Sequence, residues 1–418
     1  MLRLATVFSG IGAIEHALER MNIPYELVFA SDNGDRELDI PFEEIKGNLD
    51  NIPNPEDKKN YIDQLYAKCR KTNFVEKSYF ANYDIERSRY HQDVRFIDGT
   101  LYEGQVDLFV GGSPCQSFSM VGKRGGFDDT RGTLFYEFAR LVKEIKPRVF
   151  IYENVKGLLN HDGGNTWAIM QNVFDELGYK WDYKLLNAKN YGIPQNRERL
   201  FVVGFLNQDV NFHFPNPIHL KLKMKDLLLD NVAEKYYLGQ KGIKFVTSEK
   251  NIRKQYTQIN GEIMLCQKAN QQFNWHGDFV FEEIEMNYDN VEGEDVHEKY
   301  FLSEKLVNYV LASGTKDFYS KPEIDLDVAR PLLSTMHKMH RAGVDNYVTT
   351  KGRIRKLTPR ECLRLMGFSD TFKIVVSDTQ IYKQSGNSIV VDVLIHILKE
   401  IMNVEDFTKD SFYQLSLI

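Results

Sequence analysis

At 418 residues, with 42% hydrophobic and 27% charged residues, the chain can bury a large core and leaves little room for a long disordered tail, so two folding units are expected. The formal net charge of -6 argues against a protein that coats nucleic acid indiscriminately, and the four cysteines, Cys69, Cys115, Cys266 and Cys362, are too scattered for a disulfide framework or a zinc site. No apolar run is long enough to span a bilayer and the start, Met1 to Ala13, has no signal-peptide pattern, so a cytoplasmic protein without membrane contact is expected.

The first third alternates strands with helices. Arg3–Phe8 reads as a short apolar strand, Gly10–Gly12 as a glycine turn, Ala13–Met21 as a helix and Leu27–Ala30 as the next strand. The run Phe8-Ser9-Gly10-Ile11-Gly12-Ala13 therefore joins the first strand to the first helix. Its glycines let the backbone approach a ligand closely, and Asp32, at the end of the second strand, is placed to accept hydrogen bonds from a ribose diol. Comparable turns often only pack a helix on a sheet, so this signal alone is weak. Its spacing, unlike G-x-G-x-x-G, favours a neutral-to-cationic adenosyl ligand over a pyrophosphate. Between Asp32 and Asp93 lies a stretch with Pro53-Asn54-Pro55 and a helix expected from Glu56 to Lys71; it reads as a surface insertion without an assigned use. Its first half is acidic, with ten acidic and four basic residues from Asp32 to Asp63.

Strands at Val106–Val110, Val149–Tyr152 and Leu200–Val203, with helices at Leu134–Ile145 and Trp167–Leu177, continue the rhythm of a doubly wound α/β sheet. Gly111-Gly112-Ser113-Pro114-Cys115 follows the first of these strands. Pro114 fixes the backbone before the thiol and the glycines clear space above it, which sets Cys115 on a rigid turn where such sheets hold ligands. A single cysteine is about as often buried and inert, and only this flanking geometry favours a reactive one. Glu153 ends an apolar strand, where buried neighbours disfavour its ionised form; the bland alternative is a surface glutamate. Gln195-Asn196-Arg197-Glu198-Arg199 puts two guanidinium groups on one face, ordinarily a solvated or structural arrangement.

After Phe205 the pattern breaks into short apolar pieces up to about Val348, which reads as a second, less regular domain. An acidic run, Asp278 to Glu298, holds nine acidic residues and no Lys or Arg, whereas Lys338 to Arg364 sets eight basic residues against two acidic ones. Each is read first as a solvated face; a stripe that tracks phosphates is the alternative for the basic one. A helix starts at Thr358-Pro359-Arg360-Glu361, and a last helix, Val390–Met402, follows Gly386-Asn387-Ser388.

These segments together resemble the cytosine-5 DNA methyltransferase family of bacterial and phage restriction-modification type, over essentially the whole chain and in unpermuted motif order. The matches are FSGIGA (Phe8–Ala13), GGSPCQSFS (Gly111–Ser119), GKRGGFDDTRGTLF (Gly122–Phe135), ENV (Glu153–Val155), QNRER (Gln195–Arg199), RKLTPRECLRLMGF (Arg355–Phe368) and QSGNSIVV (Gln384–Val391). The resemblance implies a doubly wound, Rossmann-like α/β fold of S-adenosylmethionine-dependent methyltransferases with a smaller, irregular target-recognition domain. Residues 1–205 would form the catalytic domain, 206–377 the recognition domain, and 378–418 the segment that completes the catalytic domain. It implies Cys115 as the nucleophile toward C6 of cytosine, Glu153 as the acid at N3 and the exocyclic amine, and Arg197 and Arg199 as the pair that holds the nucleotide. Phe8, Gly10, Gly12, Asp32, Asp93, Pro114, Leu134, Asn387 and Ser388 match cofactor contacts, with Asp93 near the adenine amine. The implied substrate is double-stranded DNA, methylated by a monomer. A cognate restriction endonuclease sharing the site, without direct binding, is compatible with the family and undecided by the sequence.

Two departures qualify the match. Arg330-Pro331-Leu332-Leu333-Ser334-Thr335 lacks the Thr-Leu pair frequent late in such recognition domains, and Asn33 stands where some relatives stack a large side chain on adenine. A methyltransferase acting on tRNA and a silent DNA-binding protein on the same scaffold remain as alternatives. The length of Leu206–Val348 weighs against the first, and the filled chemical positions weigh against the second. A nicotinamide oxidoreductase, suggested by the glycine turn alone, ranks below both.

Overall fold

A computed structural model of the chain describes residues 1–114, 134–229, 248, 257–259, 276–279, 300, 302, 322–334, 344–350 and 353–408. Its main sheet is built from β1 (Leu2–Val7), β2 (Tyr25–Ser31), β3 (Tyr90–His91), β4 (Leu108–Gly111), β5 (Val149–Val155), β6 (Lys180–Asn187) and β7 (Glu198–Phe205), in the order β3-β2-β1-β4-β5-β7-β6. From β3 across to β5 the neighbours pair in parallel, and β7 runs antiparallel to β5. Strand order departs in opposite directions from β1 and β4. The switch point of this doubly wound sheet therefore lies between their carboxyl ends, where open α/β sheets bind ligands.

The central strands are buried along their length, as parallel strands covered on both faces must be. Helix α5 (Leu134–Ile145) spaces Phe135, Phe138, Leu141, Val142 and Ile145 along one buried face. Phe138 stacks on Phe109 of β4 with ring centroids 5.1 Å apart, and Phe150 of β5 stacks on Phe174 of α6 (Asn165–Glu176) at 5.8 Å. Each such ring removed from water contributes roughly 1.5–3 kcal/mol, so these pairs hold the strands that carry the site. Arg148, just before β5, pairs with Glu405 and donates to Asp406 O at 2.7 Å, which ties residues 405 and 406 to this core.

Two strands were not legible in the sequence. β3 has only two residues, and β6 is an edge strand whose Lys180, Asp182, Tyr183 and Lys184 are exposed; its Trp181, Tyr183 and Leu185 alternate with polar residues, without the continuous apolar run that marks the central strands. The stretch between β2 and β3 is also more than a surface insertion with one helix. After α1 (Ala13–Arg20) and β2 it forms α2 (Phe42–Asp50), α3 (Pro55–Ala67) and α4 (Phe74–Asn82), with a small core of Ile45, Leu49, Ile62, Leu65 and Tyr66. Asn54 caps α3 by accepting from Glu56 N at 2.9 Å.

The chain gathers into two compact units, Met1–Leu186 with Glu198–Asn216 and Val393–Ile418, and Asn187–Arg197 with Pro217–Asp392. Residues 187–197 and 378–392 thus group with the second unit, away from the boundaries at 205 and 378 suggested by sequence. That unit contains the parallel set β8 (Thr257–Ile259), β9 (His276–Phe279) and β10 (Pro322–Glu323), and the antiparallel pair β11 (Tyr347–Thr350) and β12 (Arg353–Lys356). Helix α7 (Pro359–Arg364) opens with the expected cap: Thr358 Oγ1 accepts from Glu361 N at 3.2 Å and Glu361 Oε2 accepts from Thr358 N at 2.7 Å. Helices α8 (Asp378–Asn387) and α9 (Val391–Val404) follow. Among the described residues, no helix is long and apolar enough to cross a membrane.

Candidate active site

At the carboxyl end of β1 the backbone turns sharply, with Phe8 at φ 54° and Gly10 at φ 55°. Gly12, at φ 75°, is required twice over, since a Cβ there would also overlap the Tyr83 ring. Hydroxyls lock this turn to the end of β2. Thr6 Oγ1 meets Ser9 Oγ at 2.7 Å, while Ser9 Oγ donates to Ser31 O and accepts from Ser31 N, both at 3.1 Å. The Asp32 carboxylate accepts from Gly10 N at 3.0 Å and Gly34 N at 2.8 Å, so two backbone amides orient it beside the turn. Asp93, 4% exposed, accepts from the Tyr66 hydroxyl at 2.7 Å and pairs with Arg95 at 2.6 Å.

On the other side of the switch point, Ser113 and Pro114 lead out of β4; Cys115 itself, and residues up to 133, lie outside the described part. The loop entrance is tied to β5. Asn154 Nδ2 donates to Ser113 O at 2.9 Å and to the Tyr152 hydroxyl at 2.8 Å, and Ser113 Oγ meets that hydroxyl at 2.7 Å. A Cβ on Gly112 would lie 2.9 Å from Glu153 Oε2, so this glycine clears space for the Glu153 carboxylate. Arg199 Nε lies 3.1 Å from Glu153 Oε1, with the two side chains 19% and 14% exposed. The β5–β7 register explains the pair: Glu153 faces Phe201, which makes Arg199 its diagonal neighbour on the same face.

Arg197 does not share that placement. It stands before β7 in the second unit, 3% exposed, and donates to Leu332 O at 3.0 Å and to Gly386 O and Ser388 O at 2.9 Å each. Gln195 is likewise absorbed, accepting from Leu332 N at 3.0 Å and donating to Leu365 O at 2.8 Å. The QNRER run thus divides between structural ties (Gln195 and Arg197) and a contact with Glu153 (Arg199). Ser388 is buried and Asn387 exposed, both in the second unit, while Leu134 opens α5 against the main core. Of the basic stretch, Arg360 donates to Phe372 O at 2.9 Å and Arg364 pairs with Asp370 at 2.7 Å, so these two are engaged internally. Sequence reading did not single out Asn154, Tyr66 or Tyr83 for their contacts, because no local pattern announces a partner dozens of residues away.

The model of the C-5 cytosine-specific DNA methylases matches residues 61–403. The orphan methyltransferase M.SPRI of Bacillus phage SPR is 31% identical, with 96% of this chain and 98% of that protein covered. The type II methyltransferase M.HhaI of Haemophilus parahaemolyticus is 33% identical over 75% of this chain and 85% of its own. Among solved structures, the S. pombe Dnmt2 methyltransferase superposes with a TM-score of 0.57 at 16% identity, over 96% of this chain and 99% of that one, a likeness of fold.

Proposed function

Since the chain belongs to the C-5 cytosine-specific DNA methylases, we propose that it methylates C5 of a cytosine swung out of a specific duplex sequence, by way of a covalent bond between Cys115 and C6. The observation that carries this reading is the Glu153–Arg199 pair at 3.1 Å, on the strand whose Asn154 ties down the loop that leads to Cys115. Cytosine C5 is a poor nucleophile. Addition of the Cys115 thiolate forms an Sγ–C6 bond and pushes electrons toward N3, where Glu153 supplies or shares a proton and Arg199 holds the carboxyl in place. The ring is then enamine-like, with its electron density on C5. Once C5 is alkylated, loss of its proton to a base and cleavage of Sγ–C6 restore the thiolate and the aromatic ring, and the N3 proton returns to Glu153.

S-adenosylmethionine, when bound, supplies the methyl group from its sulfonium. The residues at the switch point fit it: a turn that brings backbone close, with two acidic side chains, Asp32 and Asp93, suits an adenosyl ligand with net positive charge better than a pyrophosphate. Phe8, Gly10, Gly12, Asp32, Asp93, Pro114 and Leu134 are assigned to this site, and Asn387 and Ser388 by family likeness. Swinging the base out costs a few kcal/mol, and phosphate contacts alone carry no sequence information. We therefore assign sequence choice to the recognition domain at about 206–377, and place the enzyme in the cytoplasm with the DNA.

A duplex with fluorine at C5 of the target cytosine tests the mechanism, since fluorine cannot leave as a proton. The expected result is a protein–DNA adduct that resists denaturing electrophoresis, needs S-adenosylmethionine, and is absent from Cys115→Ser, a far weaker nucleophile at neutral pH. An adduct formed by Cys115→Ser, or formed only on RNA, overturns the proposal.

A further inference from the structure

The segment between β2 and β3 touches the proposed cofactor loops at separate points. From α3, the Tyr66 hydroxyl donates to Asp93 Oδ2 at 2.7 Å. From the start of α4, Asn73 Nδ2 donates to Asp32 O at 2.9 Å. Past the end of α4, the Tyr83 hydroxyl donates to Ile11 O at 3.1 Å and Gly12 O at 2.7 Å, with its ring over Gly12. An appendage would leave these donors in water; here Tyr66 and Tyr83 are buried.

Asp93 is the most tightly held of the groups they reach. Its Oδ1 accepts from Arg95 N and Nε, both at 3.0 Å, and its Oδ2 accepts from Tyr66 and from Arg95 Nη2 at 2.6 Å. Donors on both oxygens leave the carboxylate little freedom to rotate, and an arriving amine would share one of these oxygens with them. The phenol is held in turn: Arg36 Nη1 donates to Tyr66 O at 3.1 Å and its guanidinium lies 4.9 Å from the Tyr66 ring. Burial, and then the facing Asp93 carboxylate, push the Tyr66 phenol up from its ordinary range, which keeps it a donor at neutral pH.

We propose that Tyr66 is a positioning residue of the S-adenosylmethionine site, fixing through its hydroxyl the Asp93 carboxylate that meets the adenine amine, and that the α2–α4 segment is thereby part of that site. This rests on the reading of Asp93 given under the proposed function. Calorimetric titration of the full chain with S-adenosylhomocysteine and with S-inosylhomocysteine, whose ring carries oxygen in place of the amine, tests both. The parent should prefer the adenosyl ligand. Tyr66→Phe, which keeps the ring, should bind the adenosyl ligand about tenfold more weakly and the inosyl ligand as before, the size of effect expected for one hydrogen bond to a charged group. In Asp93→Ala, which leaves the phenol no acceptor there, the same Tyr66→Phe change should cost no further affinity, because the phenol acts through that carboxylate.

Loss of affinity for both ligands alike, unchanged affinity for both, additive losses in the double variant, or a Tyr66→Phe protein that no longer folds would each make the phenol structural or idle and overturn the inference. A parent that binds neither ligand, or both equally, overturns the reading of Asp93 itself.

Discussion

The two sides of the switch point are built differently. Around β1, β2 and β3 each acidic group is held by several donors: backbone amides on Asp32, and Tyr66 with Arg95 on Asp93. Around β4, β5 and β7 the carboxylate proposed to react, Glu153, pairs with Arg199, and Ser113 ahead of Cys115 is anchored by Asn154 and Tyr152. On the first side the adenosyl part of the proposed cofactor takes no part in bond making, and carboxylates fixed in advance suit it. On the second, Glu153 is proposed to act on a base whose charge changes as bonds form, and catalysis draws only on contacts that are stronger in the transition state.

Breaking the contact on the second side should have the largest effect. Glu153→Gln should lower the methyl-transfer rate by about 10²–10⁴-fold, the usual worth of general acid–base help, with S-adenosylmethionine affinity nearly unchanged. Single-turnover transfer on a duplex substrate, beside calorimetry, checks this. A variant that loses cofactor affinity instead would erase the contrast between the sides.

On the first side, the test is stability against pH. Glu15 of α1 is fully buried, accepts from the Tyr79 hydroxyl at 2.5 Å and Thr6 Oγ1 at 3.2 Å, and burial raises its pKa from 4.5 to about 7. Because the folded-state pKa lies above the unfolded one, the folded protein holds the extra proton between these values. Stability is greatest below pH 4.5 as far as this group is concerned and falls as pH rises to about 7. The loss amounts to about 3 kcal/mol at most, from 1.36 kcal/mol per unit. Glu15→Gln, which mimics the neutral acid, should flatten the fall in melting temperature between pH 5 and 7.5 on the order of that amount. A parallel pH dependence in parent and variant assigns the proton to another group.

The smallest effect sharpens the comparison from the same side. Asp93→Ala should weaken S-adenosylmethionine by about 10–100-fold, the loss of one or two charge-assisted hydrogen bonds, and leave duplex binding without cofactor unaltered. Calorimetry against both ligands reads it, and equal cofactor affinity removes Asp93 from the site.

Much of this site could be read from the chain because its parts are local. FSGIGA follows one strand, GGSPC another and ENV a third, and each strand is announced by a run of apolar residues that must be buried on both faces. The sequence by itself therefore determined the doubly wound sheet and which strands carry the FSGIGA, GGSPC and ENV runs at their carboxyl ends. What only the tertiary structure decided are pairings across long separations. Arg197 and Arg199 look equivalent two residues apart, yet one closes on backbone carbonyls of the second unit and the other on Glu153. Tyr66 and Tyr83 look like ordinary aromatic positions of an acidic insertion, yet they donate to Asp93 and to the glycine turn. The physical reason is the same in both cases. Periodicity reports which residues leave water, whereas a hydrogen bond depends on which donor arrives at which acceptor, and that is set by the path of the backbone between them.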